Sequence, residues 1–290
     1  MAEIAYAAIT PLRNDCENLV RLAESLEWQT VTPSAWIIVD NGSTDGGLNV
    51  AYELAARLPW VTVLEIPGKG APRPGAPIVR AFHAGLGELS SLPEVVVKLD
   101  ADVSLDRDYF ERQLAAFEAD ERLGIASGAC LELEGDEWKP VDVTEGHVRG
   151  AVRAYRRECL EEVLPLEEGV GWDGIDGVKA SMRGWRTRTV PGLAFYHHRP
   201  LGHRDGSRTA RWKAQGRACW FMGYRPGYLF LRTLHRARQN PSALAMIPSY
   251  LGAALRREPR YRDAEVRRYL RERQGIRAAL RRARSTEARA

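Results

Sequence analysis

Val95-Val96-Val97-Lys98-Leu99-Asp100-Ala101-Asp102 is an apolar, β-branched run that stops on two acids one residue apart. Consecutive Val residues with no polar alternation predict a strand buried on both faces, as in a parallel sheet. Asp100 and Asp102 then fall on the turn at its carboxyl end. Two carboxylates on one tight turn present hard oxygens to Mg²⁺ or Mn²⁺, whose other ligands can be phosphate and water. The motif alone is weak, because 14 Asp in 290 residues give roughly 0.7 Asp-x-Asp matches by chance. A second match, Asp106-Arg107-Asp108, opens a polar helix rather than closing a strand. It reads as N-cap and first-turn acids.

Upstream of this stretch the same strand-then-turn pattern recurs. Ile4 to Thr10 is a short apolar run closed by Pro11, and Trp36-Ile37-Ile38-Val39 is closed by Asp40-Asn41-Gly42-Ser43. Val61 to Ile66 is a third run of this kind. Between them, Cys16 to Gln29, Leu48 to Leu58 and Ile78 to Leu89 have helical spacing. The Gly- and Pro-rich segment from Gly68 to Pro77 is a loop that matches neither a P-loop nor a Rossmann fingerprint. Alternating strands and helices predict an α/β fold with a mostly parallel central sheet covered on both faces. Ligands of such sheets bind at the carboxyl ends of the strands, where Pro11, Asp40 and Asp100 all fall.

Downstream the pattern is mixed. Helices are predicted over Tyr109 to Ala119 and Trp172 to Arg183, and a strand over Gly124 to Glu134. Gly150 to Leu164 starts extended and ends helical, and Thr187 to Val190 and Ala194 to His197 are extended. Beyond His198 the chain reads as helical, basic and aromatic, with breaks at Pro226, Pro241, Pro248 and Pro259 and a charged end that frays. A boundary at 198/199 therefore separates an α/β domain, 1–198, from a helical basic extension, 199–290.

The net charge of +4 conceals a strong asymmetry across that boundary. Residues 1–198 carry 19 Lys and Arg against 32 Asp and Glu, a net of −13, while residues 199–290 carry 23 against 6, a net of +17. The extension therefore suits an anionic partner. Its aromatic cluster, Trp220 to Phe230, has two readings: packing against the rest of the protein, or insertion at an anionic membrane surface. Cys16, Cys130, Cys159 and Cys219 stand far apart, which points to reduced thiols and a cytoplasmic setting, peripheral to the inner membrane face if the extension docks there. No signal peptide and no membrane-spanning stretch is expected.

Three stretches together carry a family resemblance. Ile9-Thr10-Pro11-Leu12-Arg13-Asn14, Ile37-Ile38-Val39-Asp40-Asn41-Gly42-Ser43-Thr44-Asp45 and Lys98-Leu99-Asp100-Ala101-Asp102 resemble the ordered signatures of family 2 glycosyltransferases. The resemblance extends over about residues 4–200, through Gly171-Trp172-Asp173-Gly174-Ile175-Asp176, Gly184-Trp185-Arg186 and Tyr196-His197-His198-Arg199. It implies the nucleotide-diphospho-sugar transferase, or A-type glycosyltransferase, fold and an inverting transfer. It also implies a nucleotide-sugar donor, UDP-linked, a saccharide or lipid-linked acceptor, and a divalent Mn²⁺ or Mg²⁺. By the same resemblance Pro11, Arg13 and Asp40 line the nucleoside pocket, Asp100 meets ribose or a metal-bound water, and Asp102 and His197 hold the metal. Arg80 and His83 stand where the family often has an Arg-Asn pair. Asp173, eleven residues before Gly184, matches the catalytic base. Asp176 shares its helix face at i, i+3 and competes for that role. Surface polysaccharide or glycolipid assembly is the implied setting.

Two other functions compete. A sugar-nucleotide pyrophosphorylase would need a Gly-rich, basic phosphate loop directly after the first strand, where this chain has Pro11-Leu12-Arg13-Asn14. A nucleic-acid-binding protein would use the +17 segment but leaves the strand-end acids unexplained, so no nucleic-acid partner is expected.

Overall fold

The computed structural model describes residues 4–68, 75–141, 148–169, 171–199, 208–238 and 240–274. The greater part of the Gly- and Pro-rich loop, 69–74, and the charged end, 275–290, lie outside the described residues. The chain divides into two compact units, Met1–Pro200 and Leu201–Ala290.

The first unit opens with β1 (Tyr6–Leu12), α1 (Cys16–Glu27), β2 (Ala35–Asp40), α2 (Gly47–Arg57), β3 (Val61–Glu65), α3 (Ala76–Glu88) and β4 (Val95–Leu99). These four strands pair in parallel in the order β3-β2-β1-β4. Their carboxyl ends therefore share one edge. Alternating side chains of each strand enter opposite layers of the core. Ala8, Trp36, Ile38 and Val97 pack in one layer, and Ile9, Ile37, Val39 and Val96 in the other. The first layer includes Leu19, Leu22 and Leu26, the apolar stripe of α1. The second includes Val79 and Phe82 of α3. Helix α3 comes so close to β1 that a Cβ on Gly85 would lie 2.5 Å from Ile9 Cγ2, which requires glycine there.

The sheet then becomes mixed. β5 (Val103–Leu105), α4 (Tyr109–Glu118), β6 (Leu123–Glu134), β7 (Glu137–Pro140), β8 (Val152–Arg156), α5 (Arg157–Val163), α6 (Trp172–Met182) and β9 (Arg186–His197) follow. They extend the order as β4-β8-β6-β9-β5, with β7 hairpinned onto β6. Two expected extended pieces near residue 190 are one strand, β9, which shifts register against β6 around Ser127/Ala129. Asp108 occupies the N-cap of α4 without a side-chain cap bond and pairs with Arg112 across one turn instead.

The second unit holds α7 (Arg208–Phe221), α8 (Pro226–Ala237), a 3₁₀ turn at Pro241–Ala245, α9 (Met246–Leu255) and α10 (Ala264–Arg273). Cys219, Leu229, Met246 and Tyr250 form its core, with Trp212, Trp220 and Tyr224 packed around them. The break expected at Pro248 does not occur. Pro248 lies in the first turn of α9, where a missing N–H breaks no helical bond. No helix among the described residues is long and apolar enough to cross a membrane.

Candidate active site

The carboxyl ends of β1 and β2 are stitched into one rim. Asn14, at φ 52°, donates its N–H to Ser43 Oγ at 3.1 Å, and its side-chain oxygen accepts from Thr44 N at 2.8 Å. Asp45 Oδ2 accepts from Cys16 N at 2.8 Å and Oδ1 from Gly47 N at 3.0 Å. Burial works against the charge on Asp45, but these N–H bonds and Arg199 outweigh it and hold the carboxyl below its ordinary range. Asp40 is buried, and its carboxylate accepts from Gly42 N at 2.9 Å and Ser43 N at 3.1 Å, so it shapes its own turn. Pro11 is half-buried and Arg13 exposed on the same rim.

Arg199, just past β9, closes on this rim from the other side through a bidentate pair with Asp15, one bond being 3.0 Å. Arg80 sits half-buried on α3. His83 Nε2 accepts from Leu166 N at 3.1 Å, which ties α3 to the segment after α5. That is a structural bond, and it requires an unprotonated Nε2.

At the end of β4, Lys98 is buried among Val residues and needs partners for its charge. It bonds the Asp100 carboxylate and donates to Gly150 O at 2.9 Å, with its ammonium 5.6 Å from the Trp172 ring centre. Burial raises the Asp100 carboxyl above its ordinary pKa, and Lys98 opposes that rise.

Immediately beyond, the three-residue strand β5 pairs antiparallel with the end of β9, Val103 opposite His197. His198 N also donates to Asp102 O at 2.8 Å. This pairing sets His197 Nε2 3.3 Å from Asp102 Oδ1. The other ring nitrogen, Nδ1, lies 3.5 Å from Glu132 Oε1, long for a hydrogen bond. Burial would lower the pKa of His197, but the nearby Asp102, Cys130 and Glu132 push it up to about 11. Burial also opposes the charge on Asp102, and His197 more than compensates, so that carboxyl is lowered. His198 points elsewhere, with Nε2 2.7 Å from Ser104 Oγ and the ring edge-on to Trp138.

These donors fit a divalent ion. Asp102 and His197 would offer a carboxylate oxygen and, once an incoming metal displaces the proton from Nε2, an imidazole nitrogen, a set that suits Mn²⁺ or Mg²⁺. The ligand atoms of Cys130, Glu132 and His197 also lie within 4.8 Å of one another, but all three side chains are buried. The Asp102 side chain is more exposed than Glu132, 16% against 10%, so the Asp102 side of the ring is the better placed to share a metal with a diphosphate. Glu132 then suits an orienting role on the far nitrogen of a metal-binding histidine.

Asp173 and Asp176 separate sharply. Asp176 is 1% exposed and is gripped by Arg153, with Nη2 to Oδ1 at 2.6 Å and Nε to Oδ2 at 3.0 Å, and it also accepts from the Tyr155 hydroxyl. Burial pushes its carboxyl up to about 6 against the pull of Arg153. Asp176 is thus the counter-ion of a buried arginine. Asp173 is half-buried, and the Cβ position of Gly150 lies 3.6 Å from its Oδ2. Gly150 O is the acceptor for Lys98, so Asp173 borders the group that contains Asp100. A Cβ on Gly150 would stand 2.9 Å from the Trp172 ring, so a larger residue here would displace that ring.

The glycosyl transferase family 2 model matches residues 7–158, which contain β1 through β8 and the acids at their ends. The chain belongs to glycosyltransferase family 2. It is a glycosyltransferase with the A-type fold, and solved structures share that fold at low identity. The mannosyltransferase PcManGT from Pyrobaculum calidifontis, solved in complex with GDP-Man and Mn²⁺, is 16% identical at a TM-score of 0.55, over 98% of this chain and 79% of that one. TarS from S. aureus is 16% identical at 0.54, over 75% of this chain and 39% of TarS. GalNAc-T7, solved with UDP, GalNAc and Mn²⁺, is 15% identical at 0.56, over 76% of this glycosyltransferase and 48% of GalNAc-T7. The chain thus spans less than half the length of the last two. No curated protein sequence matches it.

Sequence reasoning missed Lys98, Glu132, Gly150, Arg153 and Arg199 as members of this site. Lys98 and Arg153 carried a readable signal, since a cation inside a buried strand demands a partner. Glu132, between Leu131 and Leu133, looks like any outward residue of an alternating strand and carried none.

Proposed function

We propose that this glycosyltransferase moves a sugar from a UDP-linked donor to a hydroxyl of a saccharide or lipid-linked acceptor, inverting the anomeric carbon. The observation that carries the proposal is the gathering of Asp100, Asp102, His197 and Asp173 at one edge of the sheet, beside the stitched rim of Pro11, Arg13 and Asp40. The rim takes the nucleoside, with Asp40 held rigid as an acceptor for a base N–H. Asp102 and His197 would hold Mn²⁺ or Mg²⁺, which when bound stabilises the charge developing on the departing diphosphate. Asp173 takes the proton of the acceptor hydroxyl as that oxygen attacks. Arg80, on α3, would face the donor phosphates.

PcManGT was solved with GDP-Man and GalNAc-T7 with UDP, so base choice is a direct question for experiment. A thermal-shift panel of UDP-, GDP- and dTDP-sugars, with and without Mn²⁺, answers it. The cognate donor at 100 times its Kd stabilises by about 2.7 kcal/mol, and only with the metal. No shift with any sugar nucleotide in Mn²⁺ would remove the proposal.

The reading includes reversible docking of the second unit on an anionic membrane, in support of a lipid-linked acceptor. Its support is the +17 charge of residues 199–290 together with exposed apolar side chains on α8 and α9, among them Phe230 (51%), Leu231 (64%) and Leu255 (85%). Trp220 does not serve for insertion, since its Nε1–H donates to Glu258 O at 2.8 Å and its face carries Arg260. Phe221 is likewise taken up, edge-on to Tyr261. Co-sedimentation with anionic vesicles should recover the protein at low salt and lose much of it at high salt. Full recovery in the supernatant with anionic and neutral vesicles alike, at either salt, would exclude docking.

A further inference from the structure

Within the second unit a cavity of about 530 Å³ opens between the start of α8 and the end of α9. This is the size of a small-molecule site. Its floor is aromatic, formed by Trp220, Tyr224 and Tyr250, and Tyr250 is fixed by a 2.7 Å hydrogen bond from its hydroxyl to Tyr224 O. Three guanidinium groups, of Arg225, Arg260 and Arg271, line the walls, and no acidic side chain lines it among the described residues. The acid nearest in sequence to Arg260, Glu258, is already engaged by Arg217 at 3.1 Å and Arg256 at 3.0 Å.

Among the described residues, the contacts that anchor the three arginines spare their outer N–H groups. Arg260 lies flat on Trp220, 3.9 Å from the ring centre, so the contact uses its face and spares its edges. Arg225 Nε donates to Arg271 O, and Arg271 Nε to Gly223 O, each at 3.0 Å. Both bonds use Nε, so among the described residues the terminal amino groups remain for a ligand. Arg225 and Pro226 also begin α8, whose N-terminal end adds positive partial charge. Three like charges with no acidic side chain lining the cavity among the described residues cost stability unless something anionic relieves them. Forked donors over an aromatic floor match phosphate oxygens attached to an organic body.

We propose that this cavity is a binding site for a phosphate-bearing ligand, with the three guanidinium groups on its phosphate and the aromatic floor under the rest. Pro226, Ala254 and the exposed Leu251 give the cavity an apolar margin, fit for the first carbons of a lipid. The site uses only residues of the second unit and does not depend on the catalytic reading.

Calorimetric titration of the full chain in EDTA and 150 mM salt tests it, since EDTA silences any metal-dependent diphosphate site. The probes are inorganic pyrophosphate and dihexanoyl phosphatidic acid. At least one should bind saturably, one per chain. Arg260→Gln should weaken that binding at least tenfold, and Arg268→Gln, an equal loss of charge at an exposed position outside the cavity, should not. Phosphatidic acid binding more than tenfold tighter, with the difference lost in Leu251→Ser, identifies a lipid head group. Equal affinities identify a soluble phosphate compound. Failure of both probes to bind the wild-type protein overturns the site whatever the variants do. Equal losses in Arg260→Gln and Arg268→Gln overturn it as well, because they mean diffuse charge rather than a cavity.

Discussion

Asp173→Asn should lower sugar transfer by about 10²–10⁴-fold with little change in donor affinity, the signature of a lost general base. Its melting temperature should stay near wild type, because Asp173 is half-buried at the edge of the site and the hydrogen bond it accepts from Arg153 Nη2 at 3.0 Å goes to its main-chain oxygen, which the substitution keeps. Asp176→Asn should behave in the opposite sense. Its carboxylate is the charge partner of Arg153, both side chains being 1% exposed. Removing one member of a buried ion pair costs about 3–5 kcal/mol, since the guanidinium remains charged without a counter-ion. The protein should therefore unfold well below the wild-type temperature, while whatever fraction stays folded keeps turning over. Initial rates normalised to folded protein, with melts on the same samples, separate the two outcomes. A stable, inactive Asp176→Asn beside an active Asp173→Asn would reverse the assignment.

Asp102→Ala should abolish Mn²⁺-dependent donor binding, and excess EDTA should do the same to the wild-type protein. The substitution removes the carboxylate that faces His197 Nε2 at 3.3 Å and leaves an imidazole as the one remaining side-chain donor of that pair. The fold should survive it. Asp102 sits on a turn, and its backbone link to β9, His198 N to Asp102 O, does not involve the side chain. His197 also keeps Glu132 beside Nδ1. Titration of Mn²⁺ followed by its paramagnetic resonance signal, with and without UDP, reads metal binding apart from turnover. Unchanged Mn²⁺ binding in the variant, or full activity in EDTA, would remove the metal role from Asp102.

The parallel half of the fold was legible residue by residue. Trp36 to Val39 and Val95 to Leu99 are apolar runs on both faces, so burial decides their conformation wherever they occur. The acids and glycine after them can only be turns. Those local facts put Pro11, Asp40 and Asp100 at strand ends, and parallel pairing then puts them at one edge. Pro248 was misread because a proline stops a helix only beyond its first turn, and the start of α9 is set by packing of Met246 and Tyr250 rather than by a sequence signal.

The remainder depended on contacts between segments far apart in the chain. β5 is three residues long, too short for any periodicity to show, and it exists because β9 is there to pair with it. That pairing, invisible in either segment alone, is what brings His197 to Asp102, and the parallel pairing of β6 with β9 sets Glu132 beside His197. The choice between Asp173 and Asp176 has the same origin. Helical spacing gives both the same face, and their chemistry is identical. Only the position of Arg153 on β8 makes one of them a buried counter-ion and leaves the other half-buried at the edge of the site. The sequence by itself determined which residues end strands, because burial and turn formation are local properties. The tertiary structure decided which acid is the buried counter-ion of Arg153, because an acid's role depends on which cation reaches it through space.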